Sequence, residues 1–136
     1  MKINLKIITL EKIAYEGEAD QVTLPTMDGE ITILANHVPL ISLLKHGELI
    51  IKNNDEEISM AIYKGFVEFK ENKIIILTDT AEQAEEIDEE RAQEAKRRAQ
   101  ELLKEKDRMS DVNFAGVTIA LEKSLTRIKV ARKKKR

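Results

Sequence analysis

The sequence predicts a β plus α chain: an N-terminal antiparallel β-sandwich followed by a C-terminal antiparallel two-helix hairpin. Up to about Thr80, apolar residues alternate with polar ones, which is the period of strands with one buried face. Beyond that point they recur at spacings of three and four, which is the period of an amphipathic helix. We therefore expect a β-sandwich domain over 1–82 and a helical hairpin over 83–136.

The N-terminal strands are predicted from short alternating runs, such as Ile3, Leu5 and Ile7. Closely and regularly spaced turn signals between such runs indicate an antiparallel sandwich or barrel. Their spacing predicts about nine or ten strands over residues 2–78. The turn signals are Glu16-Gly17, Asp28-Gly29, His46-Gly47, Asn53-Asn54-Asp55, Lys64-Gly65 and Glu71-Asn72.

The two helices are predicted from their apolar stripes and caps. Asp88 can cap the first helix, because an Asp side chain accepts a hydrogen bond from a free amide of the first turn. Ser110 or Asp111 can cap the second helix in the same way. The first stripe is Ala92, Ala95, Ala99 and Leu102, and the second is Phe114, Val117, Leu121, Leu125 and Ile128.

The alanine-rich first stripe predicts a weakly held hairpin. Each buried CH₂ contributes about 0.8 kcal/mol, so an alanine stabilises much less than a leucine. A weakly held element can populate two positions, which makes a switch one interpretation. An ordinary small helical cap is the other.

Composition excludes several classes of function. The chain has no Cys, two His and 4% aromatic residues, with no Trp. Thiolate nucleophiles, zinc-thiolate sites and histidine-rich metal sites are therefore excluded, and stacking platforms for nucleic acid are nearly excluded. The start MKINLKIITLEK alternates and is not typical of a signal peptide. We expect a soluble protein that is not an enzyme, because no phosphate loop, GxGxxG motif or nucleophile-base pair is present.

Basic residues of the two predicted helices form a candidate anion site. Arg91 and Arg98 share one face of the first helix, and Lys123 and Arg127 are one turn apart on the second. In an antiparallel hairpin Arg91, Lys123 and Arg127 could hold a polyphosphate between the helices. Asp88, one turn before Arg91, could orient that arginine or accept a hydrogen bond from a base or ribose. The same pattern is also typical of an exposed, salt-bridged helix surface.

The chain ends in a basic tail. Residues 123–136 hold eight Lys or Arg and no acidic residue. Such a tail could bind nucleic acid, anionic lipid or an acidic protein surface. It is equally typical of a solvated helix end whose positive charge favours the helix dipole. The scarcity of aromatic residues argues against specific reading of RNA or DNA.

Four stretches in this order resemble the epsilon subunit of bacterial F-type ATP synthase over essentially the full length. They are LPTMDGEITILANHVPLISLLKHGEL (24–49), KGFVEFKENKIIILTDTAE (64–82), IDEERAQEAKRRAQ (87–100) and ALEKSLTRIKVARKK (120–134). The resemblance implies a non-catalytic subunit of the rotor's central stalk, peripheral to the cytoplasmic face of the cell membrane. It implies partners in the gamma subunit, the c-ring and the alpha and beta catalytic subunits, and no nucleic acid.

The resemblance also implies regulation. In the family, a compact hairpin permits ATP hydrolysis, and an extended hairpin inserts beside gamma and inhibits it. No cofactor is required, and ATP is implied as a regulatory ligand, with no assignment of Mg²⁺.

The resemblance also implies residues of the subunit interface. The Gly-Glu-(Leu/Ile) turn assigns Glu30 to the c-ring contact. The Asn-His-x-Pro element assigns His37 and Pro39 to the gamma-facing surface.

Members that bind ATP carry an (Ile/Leu)-Asp-x-x-Arg-Ala motif, a preceding acidic residue, a second Arg and two basic positions on the last helix. Lys123 stands where an Arg would be expected, which keeps the charge but loses the planar guanidinium. The implied ATP site is Glu82, Ile87, Asp88, Arg91, Ala92, Arg98, Lys123 and Arg127.

Two other functions stay open from the residues alone. A polyanion-binding adaptor would use the basic tail, and its binding would depend strongly on salt. A stand-alone nucleotide sensor would bind ATP without belonging to a large complex.

Overall fold

The computed structural model describes residues 1–133, with the backbone alone at Lys106. The chain divides into a β-unit, Met1–Gln83, and a helical unit that begins at Ala84. The β-unit contains the strands β1 (Ile3–Ile8), β2 (Ile13–Ala19), β3 (Gln21–Thr26), β4 (Gly29–Leu34), β5 (Leu40–Leu44), β6 (Gly47–Asn53), β7 (Glu56–Lys70) and β8 (Lys73–Gln83). The helical unit contains α1 (Glu89–Leu103) and α2 (Asp111–Lys133), with 3-10 turns at Ala84–Glu86 and Lys106–Arg108.

The β-unit is a two-layer sandwich, as predicted. One layer runs β2-β1-β8-β7-β5 and the other runs β4-β3-β6-β7-β8. The long strands β7 and β8 belong to both layers: residues 65–69 of β7 pair with β5, and residues 56–62 pair with β6. β1 and β8 pair in parallel, while the other strand pairings within the described residues are antiparallel.

The prediction of nine or ten strands was wrong, since the described residues form eight. Two of the turn signals lie inside strands. Gly17 is in the middle of β2, where the ring of Tyr15 lies close to the position a Cβ would take. The Lys64-Gly65 signal marks the bend of β7, at which the strand passes from one layer to the other. β8 also continues to Gln83, beyond the predicted end of the strands.

The shared bend has a specific chemistry. Gly65 has φ +147, and a Cβ there would lie 2.0 Å from the carbonyl oxygen of Leu77. Opposite it, the buried hydroxyl of Thr78 lies 2.9 and 2.6 Å from the carbonyl oxygens of Tyr63 and Lys64, so it can donate to either. Gly65 therefore lets the two long strands approach closely at the bend, and the Thr78 hydroxyl hydrogen-bonds the backbone beside it.

The core between the layers is aliphatic, apart from Phe69. Within β7 the buried positions change from Met60 and Ile62 to Val67 and Phe69. This change from even to odd numbers follows from the bend, because one strand must turn an apolar face inward in both layers.

An ionic clasp closes one corner of the sandwich. The ammonium of Lys2 lies 2.7 Å from Asp20 Oδ1 and donates to Asn53 Oδ1 at 2.7 Å and Asn54 Oδ1 at 2.9 Å. The hydrogen bond from Lys2, followed by the one from the Asn54 backbone, lowers the pKa of Asp20 from 3.8. The clasp ties the start of β1 to the β2–β3 corner and the β6–β7 turn.

The helical unit is an antiparallel hairpin, as predicted, because the start of α1 meets the end of α2 through an ion pair between Glu89 and Arg132. Asp88 is the N-cap of α1: its Oδ1 accepts from the Arg91 amide at 3.2 Å. Ser110 caps α2 by accepting from the Asn113 amide at 3.2 Å.

The predicted apolar stripes are only partly buried. Ala92, Ala99 and Ile128 are buried, whereas Leu102, Phe114 and Leu125 are 48%, 42% and 46% exposed. Each helix of a two-helix hairpin has a single helical neighbour in its unit, which cannot cover a broad stripe. The buried hydroxyl of Ser124 donates a hydrogen bond to the Ala120 carbonyl, one turn earlier in α2, at 2.8 Å.

The bend of β7 predicts an unequal response to two glycine substitutions. Gly65→Ala should lower the free energy of unfolding by at least about 2 kcal/mol, because the new Cβ collides with backbone and the φ is strained. Gly116→Ala is the matched control: its Cβ meets nothing within 4 Å, so in α2 it should stabilise by about 0.5–1 kcal/mol. Urea unfolding of the full chain measures both, and equal effects would contradict this account of the bend.

Candidate functional site

A row of apolar side chains crosses the outer face of the layer β2-β1-β8-β7-β5. The strand register places one residue of each strand opposite the next, from β5 to β7, β8, β1 and β2. We call this set the apolar row: Leu43, Phe66, Leu77, Ile8 and Ile13. Leu43, Ile13, Phe66 and Leu77 are 64%, 52%, 43% and 36% exposed.

A shallow groove of about 660 Å³ lies along this row. Leu10 at the β1–β2 turn and Met27 at the β3–β4 turn extend its apolar lining, and both are exposed. Lys64 and Asp79 place charges of both signs at its margin. Large apolar side chains that stay in water across five adjacent strands are typical of a surface that a partner protein covers.

Sequence reasoning missed the apolar row, although a signal was present. The stretch from Ile74 to Leu77 is apolar at four consecutive positions. Ile74 and Ile76 face the core, and Ile75 and Leu77 face outward. An apolar residue on both faces of a strand is the pattern of a sheet covered on both sides.

The predicted interface residues lie on the β3–β4 hairpin and the β4–β5 loop. Glu30 is exposed near the start of β4, opposite Pro25. His37 is half-buried, with its ring edge-on to Phe69 at 5.9 Å and its Nδ1 2.7 Å from the Val38 carbonyl oxygen. Pro39 is exposed.

The loop that carries His37 and Pro39 is fixed by an amide pair. The backbone N–H of Asn36 donates to Asn72 Oδ1 at 2.7 Å, and the side-chain Nδ2 of Asn72 donates to Asn36 Oδ1 at 3.2 Å. Both residues have positive φ, 68 and 58, which Asn tolerates better than most residues. The structure therefore holds the predicted interface residues of this loop in a defined position.

The residues predicted to bind ATP differ in exposure. Arg91 and Arg98 are exposed on α1, about 10 Å apart along the helix axis. Lys123 and Arg127 are half-buried on α2. Because the helices are antiparallel, Arg91 and Arg127 belong to the same end of the hairpin, away from the connecting turn.

The apolar members of that predicted set are not surface groups. Ile87 and Ala92 are buried at 4% and 0% exposure, so their side chains pack within the protein. Asp88 is exposed, although its carboxylate already caps α1. Glu82 lies in β8, within the β-unit, and is half-buried. An ATP site made of these residues stays a prediction.

The basic tail lies partly outside the described residues. Its members up to Lys133 belong to α2, and Lys134, Lys135 and Arg136 are outside the part of the chain that the structure describes. Within the described part, no three His, Asp or Glu side chains group to hold a metal ion. No helix there is long and apolar enough to cross a membrane.

Comparison with known proteins gives one consistent result along the chain. Residues 2–84 match the family model "ATP synthase, Delta/Epsilon chain, beta-sandwich domain", and residues 85–132 match "ATP synthase, Delta/Epsilon chain, long alpha-helix domain". The ATP synthase epsilon chain of Desulforamulus reducens is 43% identical over 127 residues, covering 93% of this chain and 95% of the relative. That of Herpetosiphon aurantiacus is 39% identical over 132 residues, covering 97% and 96%.

Solved structures show the same fold. A chain of the Euglena gracilis mitochondrial ATP synthase, solved as OSCP/F1/c-ring, superposes with a TM-score of 0.81 at 22% identity, covering 96% of this chain and 81% of that one. The two family models together span both units, and the bacterial relatives cover nearly the whole chain. The chain therefore belongs to the delta/epsilon family of ATP synthase subunits, as an epsilon chain.

Proposed function

We propose that the chain is a non-catalytic central-stalk subunit of the rotor of a proton-translocating F-type ATP synthase. It connects the rotor to the c-ring and, through its C-terminal helices, inhibits ATP hydrolysis. ATP acts as a regulatory ligand that favours the compact hairpin. The subunit is peripheral to the cytoplasmic face of the cell membrane, which it reaches through the complex.

The apolar row is the observation that carries this proposal. A stalk subunit has to stay attached to its rotor partner under torque, and attachment needs apolar area that is exposed before assembly. Fully burying one Leu or Phe side chain contributes about 1.5–3 kcal/mol. The proposed occupant of the groove is the gamma subunit. The family resemblance adds His37 and Pro39 to the proposed gamma contact and Glu30 to the proposed c-ring contact.

The likeness to assembled complexes supports the same partners. One similar chain comes from a structure described as OSCP/F1/c-ring. Another, with a TM-score of 0.54 and 15% identity, comes from the central stalk and c-ring of the Tetrahymena thermophila mitochondrial ATP synthase. We extend this placement in the stalk to the present chain.

The composition of the helical unit supports a regulatory role. Its buried side chains are mostly small, including Ala92, Ala99 and Ala131, so the hairpin gains little from packing. Val112, Phe114 and Leu125 stay exposed at 81%, 42% and 46%. An α2 that leaves its hairpin therefore already carries apolar side chains with which to contact the catalytic head.

ATP can bias such a balanced element. A ligand that binds only the compact state stabilises it by RT ln(1 + [L]/Kd), which is about 2.7 kcal/mol at a hundredfold excess over Kd. Arg91 and Arg98 are exposed and carry the bidentate donors that phosphate oxygens accept. Falling ATP then releases the helices to inhibit hydrolysis.

Leu43→Glu should detach the subunit from its rotor partner. The substitution places a charge at the β5 end of the apolar row, on its most exposed member, and we expect the affinity for gamma to fall at least about tenfold. Co-purification of gamma with the tagged full chain measures the effect. Leu34→Glu is the control, because Leu34 is 51% exposed on β4, in the other layer. Equal loss in both variants would contradict docking through the row.

Deleting the residues after Asp88 should raise ATP hydrolysis by the whole enzyme while the complex still assembles. The deletion removes both helices, and with them the inhibitory element. Steady-state hydrolysis and subunit composition of the purified enzyme are the two measurements, with Gly116→Ala in the full chain as control. An unchanged rate of ATP hydrolysis in the assembled enzyme would show that the hairpin is not the inhibitory element.

Titration of the full chain with millimolar ATP should release or absorb measurable heat. Arg91→Ala should weaken this binding, because it removes a guanidinium from the proposed site. Arg97→Ala removes a charge from the adjoining turn, outside the motif, and should leave the binding unchanged. Absence of heat with the native chain would exclude sensing of ATP at millimolar concentration.

A further inference from the structure

The open end of the hairpin, opposite its connecting turn, brings opposite charges together. Residues 85–90 contain five acidic side chains, whereas residues 123–133 contain five basic ones and no acidic one. Because the helices are antiparallel, the acidic run and the basic run lie at the same end. Arg132 Nε, in the basic run, donates to Glu89 Oε1, in the acidic run, at 2.9 Å.

The two partners differ in their contact with water. The Glu89 side chain is 21% exposed, whereas the Arg132 side chain is 60% exposed. A carboxylate that has lost most of its hydration needs a partner to stay charged at low cost. Arg132 is such a partner, from a position 43 residues away in sequence.

Each partner is also placed favourably in its own helix. Glu89 lies in the first turn of α1, and Arg132 lies in the last turn of α2. A negative charge is stabilised at a helix N-terminus and a positive charge at a C-terminus. Both charges thus remain favourable when the helices part, so opening breaks the pair but does not expel either residue from its helix.

We propose that the Glu89–Arg132 ion pair holds α1 and α2 together at the end of the hairpin away from the connecting turn, and so limits how often α2 is free to bind elsewhere. We call this ion pair the latch. This inference deepens the proposed function and rests on it only for its effect on ATP hydrolysis. An acidic protein surface that captures the end of α2 must first take Arg132 away from Glu89. The acidic start of α1 therefore competes with that surface for the same guanidinium.

The latch can be tested by distance measurement in the full chain. Because the chain has no Cys, Gln93→Cys and Leu125→Cys provide two unique labelling positions, one on each helix. Spin-label distances then give the fractions of closed and open hairpin. In this background Glu89→Gln and Arg132→Gln should each raise the ratio of open to closed hairpin about two- to fivefold at low salt.

A double-mutant cycle separates the latch from the helix dipoles. If the two residues act through each other, the variant carrying both Gln substitutions should open no more than the stronger single variant. If they act only through their own helices, the two effects multiply, and that result overturns the latch. Glu90→Gln, one residue along in the same turn, is the matched control and should not couple to Arg132→Gln.

ATP hydrolysis by the reassembled enzyme distinguishes the latch from the proposed function. Stronger inhibition in both single variants, together with coupling in the cycle, supports the latch and its regulatory effect. Coupling without a change in hydrolysis supports the latch in the hairpin and overturns its regulatory effect. Hydrolysis that changes without coupling in the cycle overturns the latch and leaves the inhibitory role intact.

Discussion

The sandwich depends on two strands that belong to both of its layers. β7 and β8 bend together where Gly65 passes the Leu77 carbonyl, and the Thr78 hydroxyl lies within hydrogen-bonding distance of the Tyr63 and Lys64 carbonyl oxygens. Because the layers share these strands, they cannot slide past each other without breaking hydrogen bonds within a strand pair. The rotor role proposed above requires such resistance to shear, because a rotor transmits torque.

The same bend explains where the apolar row lies. Phe66 directly follows Gly65, and Leu77 directly precedes Thr78, so both row residues are held next to the rigid part of the strands. The bend in the backbone and the exposed apolar side chains occur at one place in the fold. A docking surface built on this part of the sheet keeps its shape before the partner arrives, which reduces the entropy lost on binding.

The sequence predicts much of this architecture, and the failures have physical causes. Alternation and turn residues identify the sandwich, and the caps at Asp88 and Ser110 follow from the preference of short polar side chains for free helix amides. The predicted number of strands was wrong because, in the sequence, a glycine inside a bent strand resembles a glycine in a turn. Period-two alternation separates two faces but does not show that an outward apolar residue lies beside four others from distant strands.

The predicted regulatory residues show a similar limit. Spacing along each helix identifies Arg91 and Arg98 as neighbours on one face, and antiparallel pairing brings Arg127 to the same end. Spacing does not show that Lys123 and Arg127 are half-buried, because that depends on how the second helix rotates about its own axis. The pairing of Glu89 with Arg132 was equally hidden, since it joins residues from opposite ends of the hairpin sequence.

The small side chains inside the hairpin affect the speed of its opening as well as its stability. Leucines that interlock must change rotamers before two helices can separate, and each such change adds to the activation barrier. The buried side chains of α1, Ala92 and Ala99, have no rotamers to change. On α2 the buried apolar side chains that do have rotamers are the β-branched Ile128 and Val130, so few such changes accompany separation. In the proposed inhibitory role, such an interface would let the helices engage and release quickly, even when the equilibrium between the two states is strongly biased.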